Sequence, residues 1–177
     1  MLNSARVTLR AIRRDDLYRL CQFNNDVVIE LSGGGDPPTP QTLQRLEAEF
    51  DQDSLRGGRD GARFAIEADG LFIGQCALFN FNVIHGTCEL GITIGDHDYL
   101  GKGYGREAIR LLLDYAFRLR NVRKVSLMVN STNARAMSAY AACGFKEEGR
   151  LRRHVWSDGE YIDLVSMGVF ADEVRLQ

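Results

Sequence analysis

The chain has 177 residues, of which 45% are hydrophobic and 26% charged, and its formal net charge is −2. This length suits one domain with a buried core, so we expect residues 1–177 to form a single domain. The near-neutral charge excludes the strongly basic class of nucleic-acid-binding proteins, because contact with a phosphate backbone requires a basic surface.

The sequence contains neither a membrane-helix pattern nor a metal-binding pattern. No apolar run approaches the roughly 20 residues that a membrane helix requires, and residues 1–10 carry charge too early for a signal peptide. We therefore expect a cytoplasmic protein without a membrane partner. The four cysteines (Cys21, Cys76, Cys88 and Cys143) show no CxxC or Cys/His spacing, which predicts no disulfide framework and no metal site.

The first segments predict a strand followed by two helices. Residues 6–10 alternate as a half-buried strand does, and two aspartates at 15–16 open a helix. Residues 33–38, rich in glycine and proline, form a loop that is the best candidate for a mobile segment. Thr39 as a cap and Pro40 at the first helical position predict where the second helix begins.

The middle of the chain predicts an antiparallel meander and then a helix. Residues 63–67 and 71–81 flank an Ala-Asp-Gly turn and predict a hairpin, and residues 87–94 continue it as a third strand. From Gly103 onward, apolar residues recur at the i, i+3, i+4, i+7 and i+8 positions typical of one helix face.

The last part of the chain predicts a strand, a helix and a hairpin. Residues 125–129 form the strand, Asn133 caps a helix that stops at Gly144, and an Asp-Gly turn at 158–159 leads into a return strand over residues 161–170. The whole order predicts an α/β fold, with one mixed, mostly antiparallel central sheet and helices on both of its faces.

A glycine-rich turn joins the third meander strand to the helix that follows it. It reads Gly101-Lys102-Gly103-Tyr104-Gly105. A helix N-terminus presents unpaired N–H groups and a partial positive charge, and glycines let an anion approach the backbone, so this turn suits a phosphate or pyrophosphate. The spacing fits neither the Walker pattern nor the dinucleotide pattern. An ordinary structural turn explains the segment equally well.

A second notable segment runs from Asn133 through Tyr140 to Cys143-Gly144-Phe145. Tyr140 lies two helical turns after Asn133 on roughly the same face, so both side chains can point at a ligand that lies along the helix. Taken alone, capping by Asn133 and core packing by Tyr140 explain the segment more simply.

Together the two segments resemble the GNAT family of N-acetyltransferases over most of the chain. Residues 100–105 are similar to the family's pyrophosphate motif, and residues 133–145 are similar to its second cofactor segment. The chain departs from the pattern at Leu100, where the family often has Gln or Arg, but backbone N–H groups carry most of the phosphate binding. The closest resemblance, extending over residues 148–163, is to the subgroup of ribosomal-protein N-terminal acetyltransferases and spermidine acetyltransferases.

The resemblance implies that acetyl-CoA is the co-substrate and that its acetyl group passes directly to a primary amine. The pantetheine arm would bind a strand that splays from its neighbour, and Asn133 would hydrogen-bond to the pantetheine or to nearby backbone. No metal is implied. The implied cofactor-binding residues are Ile92, Thr93, Ile94, Leu100, Gly101, Lys102, Gly103, Tyr104, Gly105, Arg106, Asn133, Ala136 and Tyr140.

Catalysis requires removal of a proton, because an amine with a pKa of about 10 is protonated at neutral pH. By the resemblance, Glu89 is the expected base, with a strand-edge salt bridge or a water chain as the alternative. Tyr140 would protonate the departing CoA thiolate, and a backbone N–H near Ile92 would stabilise the oxyanion. A nucleophilic role for Cys143 is disfavoured, since no histidine lies near it in the sequence.

The acceptor stays open between a polyamine and a protein N-terminus. We expect it to enter between the first helices and residues 31–40, where Glu30 and Asp36 are the only carboxylates, a sparse set for a polyamine. A small antibiotic or metabolite amine, and an acyl-CoA-binding regulator without turnover, are further alternatives. The resemblance also allows a homodimer.

Overall fold

The computed structural model describes residues 1–33, 38–56 and 61–174. Its strands are β1 (Leu2–Asn3), β2 (Thr8–Arg10), β3 (Ala62–Ala68), β4 (Leu71–Asn82), β5 (Thr87–Ile94), β6 (Lys124–Asn130), β7 (Lys146–Ser157) and β8 (Glu160–Phe170). Its helices are α1 (Leu17–Asn24), α2 (Val27–Leu31), α3 (Leu43–Arg56), α4 (Tyr104–Asp114) and α5 (Ala134–Ala141). A π-helical turn at Tyr115–Leu119 extends α4.

All eight strands form one sheet in the order β1-β2-β3-β4-β5-β6-β8-β7. Within the described ranges every neighbouring pair is antiparallel except β5 and β6. These two strands are joined through α4, since parallel neighbours need a crossover connection. The predicted mixed, mostly antiparallel sheet is confirmed.

Helices cover both faces of the sheet, as predicted. Ile66 and Ala65 are adjacent in β3 and therefore point to opposite faces. Ile66 belongs to the large core under α4 and α5, whereas Ala65 packs with Leu17 and Leu20 of α1 and with Leu46 of α3. The apolar face of α4 is fully buried, with Leu112 and Leu113 at 0% exposure. No helix in the described part of the chain is long and apolar enough to cross a membrane.

Both predicted Asp-Gly turns are present. Asp69 and Gly70 have φ angles of 53° and 75°, and Asp158 and Gly159 have φ angles of 48° and 86°. Positive φ at both central residues is the geometry that matches the twist of a hairpin. These turns fix the pairing of β3 with β4 and of β7 with β8.

The predicted start of the second long helix was wrong. Helix α3 begins at Leu43, and the Thr42 hydroxyl, rather than Thr39, accepts the N–H of Arg45 at 3.2 Å. The reason is a contact from α1: the side chain of Asn25 accepts the N–H of Gln41 and donates to its carbonyl oxygen, both at 2.9 Å. This pair of bonds holds residue 41 outside the helix.

Two short elements were absent from the sequence prediction. Strand β1 pairs with β2 at the sheet edge, and α2 is capped by Asp26, whose carboxylate accepts the N–H groups of Val28 and Ile29. Of the predicted mobile loop, residues 34–37 lie outside the described residues.

Candidate active site

Strands β5 and β6 separate part-way along their length. They pair at Thr87 with Lys124, at Cys88 with Val125 and at Glu89 with Ser126, after which each strand runs on without the other. Within residues 90–94, every second residue directs its backbone N–H and C=O groups away from β4 and toward the gap between β5 and β6. The result is a wedge whose wall offers hydrogen-bonding groups to an extended ligand.

A cavity of about 260 Å³ fills this wedge. Several of the predicted cofactor-binding residues line it: Ile92, Thr93, Ile94, Leu100, Gly105, Asn133, Ala136 and Tyr140. Other lining residues come from β5, β6, α4, α5 and the chain after α2, and the sequence did not predict them as cofactor-binding: Ser32, Gly33, Leu90, Gly91, Ile109, Met128, Val129 and Arg135. The structure therefore brings the two sequence motifs together on one cavity.

The glycine turn lies where the cavity meets the N-terminus of α4. Gly101 and Gly103 have φ angles of 72° and 92°, a region that side chains other than glycine rarely adopt, and Gly103 is the N-cap of α4. A Cβ atom at Gly101 would have no neighbour within 4 Å, so the backbone there is open to an approaching group. This geometry suits an anion such as pyrophosphate.

The side chains of Lys102, Tyr104 and Arg106, and the glycines at 101 and 103, do not line the cavity. Tyr104 supports the turn instead, because its ring packs edge-on against Tyr99 at 5.0 Å and under the guanidinium of Arg6 at 4.8 Å.

Arg6 stabilises the glycine turn through hydrogen bonds. Its Nη1 donates to the carbonyl oxygen of Lys102 at 3.1 Å, and its Nε donates to Glu107 in the first turn of α4 at 2.7 Å. The hydrogen bonds of Glu107 to Ser4 and Arg6 outweigh its partial burial and hold its pKa below the usual range. Sequence analysis missed this support, because its partners are about 100 residues apart.

Two asparagines hold the chain after α2 against the cofactor helix. Asn133 caps α5 by accepting the N–H of Ala136 at 3.0 Å, and its Nδ2 donates to the carbonyl oxygen of Ser32 at 2.7 Å. Asn130, only 2% exposed, donates to the carbonyl oxygens of Leu31 and Gly33. We call this arrangement of Asn130, Asn133 and residues 31–33 the asparagine clamp. Asn133 thus hydrogen-bonds to nearby backbone, and its hydrogen bond to pantetheine stays a prediction.

Tyr140 reaches the cavity from the core. It is 7% exposed and packs edge-on against Phe145 at 5.7 Å. Burial, with a contribution from Cys143, raises the pKa of Tyr140 to about 12, so its hydroxyl is protonated at neutral pH. Burial likewise raises the pKa of Cys143, whose Sγ lies 3.6 Å from the carbonyl oxygen of Arg106. A buried neutral thiol is a poor nucleophile.

Glu89 lies at the last pair before β5 and β6 separate. Its neighbours Cys88 and Leu90 are buried in the core, so its side chain points to the opposite face of the sheet. Glu89 Oε1 accepts a hydrogen bond from Asn80 Nδ2 at 3.0 Å. Among the described residues it forms no ion pair. Its side chain does not line the cavity, and its role as a base stays a prediction.

The acceptor side is only partly described, since Asp36 falls outside the described residues. Glu30 is half-buried, and burial raises the pKa of its carboxyl group. Asp26 Oδ2 lies 2.6 Å from His97 Nε2, and this hydrogen bond, the largest influence on Asp26, holds its pKa below the usual range. Within the described residues, no group of three or more His, Cys, Asp or Glu side chains has a metal-binding arrangement.

Comparison with known proteins assigns the chain to a family. Residues 6–146 match the family model described as Acetyltransferase (GNAT) domain. The chain belongs to the GNAT acetyltransferase family. It is similar to the spermidine N(1)-acetyltransferase of Vibrio cholerae, with 34% identity over 93% of this chain and 92% of the relative. It is also similar to the N-alpha-acetyltransferase RimI of Mycobacterium tuberculosis, with 30% identity over 84% of each chain.

A solved structure shares the fold closely. The spermidine N-acetyltransferase of Vibrio cholerae in complex with CoA and spermine has a TM-score of 0.86 to this GNAT chain, at 31% identity, covering 96% of this chain and 98% of that one. The chain is accordingly an acetyl-CoA-dependent N-acetyltransferase, as the resemblance predicted. Its wedge and its glycine turn fit the two parts of acetyl-CoA that need them, an amide-bearing arm and a pyrophosphate.

Proposed function

We propose that this chain acetylates a primary amine of a polyamine such as spermidine, by direct attack within a ternary complex. The observation that carries the proposal is the wedge between β5 and β6, because Tyr140, a candidate acid, lines its cavity and Glu89, a candidate base, belongs to the strand pair at which the wedge begins. The acceptor class is supported by the relatives, which include the spermidine N(1)-acetyltransferases of Vibrio cholerae and Escherichia coli.

In this proposal, acetyl-CoA is bound mainly by backbone. Ile92, Thr93 and Ile94 present the unpaired strand groups to the pantetheine arm, and the turn from Leu100 to Arg106 presents N–H groups to the pyrophosphate. Ala136 and Asn133 border the arm from α5. Because most of these contacts use N–H and C=O groups, binding depends on the backbone path more than on side-chain identity.

Glu89 takes the proton of the incoming ammonium group, directly or through water, so that the amine nitrogen can attack the thioester carbonyl carbon. The C–N bond forms, an N–H near Ile92 stabilises the oxyanion, and the C–S bond then breaks. Tyr140 supplies the proton that the leaving sulfur takes up. The nitrogen of the new amide still carries one extra proton, and the tyrosinate, a strong base because the pKa of Tyr140 is about 12, takes it up. Glu89 releases its proton to solvent, which accounts for both protons that the ammonium nitrogen loses.

Partly exposed apolar side chains near Glu89 suit the methylene segments of a polyamine. Met128, 40% exposed, lines the cavity, and Phe79, 38% exposed, covers the space beside Gly91, where a Cβ would come within 3.2 Å of its ring. Hydrocarbon between charged nitrogens gains from such contact, because apolar area leaves water. A carboxylate beside an apolar strip therefore matches an amine carried on an alkyl chain.

A protein N-terminal amine is the second candidate acceptor, favoured by the similarity to RimI. For either acceptor we propose a cytoplasmic setting, since the four cysteines are free thiols that suit a reducing compartment. We also propose a homodimer, to be tested by sedimentation velocity.

The test follows CoA thiol release from acetyl-CoA with spermidine, an alanine-starting peptide and a panel of small amines. Tyr140→Phe should lower kcat by about 10²-fold or more, the contribution typical of general acid catalysis. Tyr115→Phe is the matched control, because this tyrosine lies at the far end of α4 and should retain the native rate. Release that is stimulated by the peptide alone would replace the polyamine with a protein N-terminus. Binding of acetyl-CoA without release by any acceptor would indicate a regulator without turnover.

A further inference from the structure

The hairpin of β4 and β5 contains an irregularity close to Glu89. The strands pair regularly up to Phe79 with Glu89, and the next pair is Asn82 with Thr87. Strand β4 thus advances three residues where β5 advances two. The extra residue forms a β-bulge, a feature that re-aims side chains and is common beside active sites.

The backbone at the bulge adopts an uncommon conformation. Asn80 has a φ of 51°, in the left-handed region that asparagine tolerates better than most residues. In a regular strand Asn80 would point away from the face that carries Glu89, because Phe79 is the residue directly opposite Glu89. The bulge turns the Asn80 amide back toward that face, where its Nδ2 donates to Glu89 Oε1 at 3.0 Å.

This contact has the properties that a catalytic carboxylate needs. The amide is neutral, so it orients the carboxylate without neutralising it as an arginine or lysine would. It engages Oε1, and within the described part of the chain Oε2 has no hydrogen-bond or ion-pair partner. We propose that Asn80 is a positioning residue that holds Glu89 with one oxygen directed at the acceptor amine. This inference rests on the proposed role of Glu89 as the base.

The test uses two substitutions that make the same backbone change. Asn80→Gly and Asn121→Gly each replace an asparagine at positive φ, 51° and 52°, with the residue that best tolerates this region. Only Asn80→Gly removes the donor to Glu89. Asn80→Gly should lower kcat about tenfold, which corresponds to ~1.4 kcal/mol, with both KM values and the Tm close to native. Asn121→Gly should retain the native kcat.

A double-mutant cycle with Glu89→Ala separates this inference from the proposed function. If Asn80 acts through Glu89, Asn80→Gly should lower kcat no further in the Glu89→Ala background. A Glu89→Ala variant with native kcat would refute the base itself. If Glu89→Ala lowers kcat while Asn80→Gly does not, the positioning role is refuted and the base stands. A fall in kcat that comes with a loss of Tm absent from Asn121→Gly would assign Asn80 to the fold and also overturn the inference.

Discussion

Asn133 has two structural roles that substitutions can separate. Its Oδ1 caps α5 through the N–H of Ala136, and its Nδ2 holds the carbonyl oxygen of Ser32. Asn133→Asp keeps an oxygen at the cap, where the helix N-terminus favours negative charge, but replaces the donor with an acceptor that faces another carbonyl oxygen. Asn133→Ala removes both contacts.

The expected losses of stability follow from these contacts. A side-chain N-cap contributes about 1 kcal/mol, and a hydrogen bond of this kind contributes about 1 kcal/mol more. Asn133→Ala should therefore lower the free energy of unfolding by about 2 kcal/mol. Asn133→Asp should lower it by about 1 kcal/mol. Urea unfolding measures both, and Thr42→Ala, which removes the hydroxyl that accepts the N–H of Arg45 at the start of α3, is the control for cap loss alone.

The same variants test whether the Asn133 amide binds acetyl-CoA. If the amide acts through the asparagine clamp, Asn133→Asp should raise the acceptor KM, because the clamp fixes Ser32 and Gly33 at the cavity. The acetyl-CoA Kd should then change by no more than about threefold, or ~0.7 kcal/mol. Isothermal titration calorimetry gives this Kd. A tenfold weaker Kd in Asn133→Asp, with stability close to native, would refute the reasoning and assign the amide to the cofactor.

Two further predictions concern buried groups away from the cavity. Asp16→Asn breaks a buried ion pair in which two nitrogens of Arg10 lie 2.7 and 2.9 Å from the Asp16 oxygens. The substitution should lower the free energy of unfolding by about 3 kcal/mol. A loss below about 1 kcal/mol, measured by urea unfolding, would contradict this prediction. Burial raises the pKa of Cys76 from 9.0 to about 12, so the unfolded thiol ionises first and stability should fall as pH rises above 9. Cys76→Ala should remove about 1.4 kcal/mol per pH unit from that slope, and an unchanged slope would contradict the prediction.

Elements governed by local chemistry were predicted well from the sequence. Strand β5 spans the predicted residues 87–94, and Gly103 and Asn133 stand at the N-caps of α4 and α5. Each of these signals is read from a few neighbouring residues, such as an Asp-Gly turn or a capping side chain, and nothing distant competes with it.

The errors arose where a distant side chain decides the backbone. Nothing near Thr39 and Pro40 argues against a helix there, but Asn25 binds both polar backbone groups of Gln41 and delays α3. The asparagine clamp has the same character, since Asn130 meets carbonyl groups about 100 residues earlier in the chain. An asparagine at the end of an apolar strand, three residues before a capping asparagine, is a signal that could have been noticed.

The position of the site follows from the one parallel step in the sheet. Because β5 and β6 run in the same direction, the chain must cross over through α4, and this helix begins at the end of β5 where the two strands have already separated. Unpaired strand groups and unpaired helix N–H groups therefore lie along one path. Neither depends on particular side chains beyond the glycines and caps that shape the turn.

A cofactor site built from backbone, as we propose, requires little sequence identity, because it depends on the fold. The Vibrio cholerae enzyme has a TM-score of 0.86 to this chain at 31% identity. The same reasoning puts acceptor choice in side chains that backbone geometry does not constrain, such as Glu30, Phe79 and Met128. Exchanging these three residues should change which amine stimulates CoA release while the acetyl-CoA Kd stays constant, because the backbone groups of the wedge and of the turn at α4 would be unchanged.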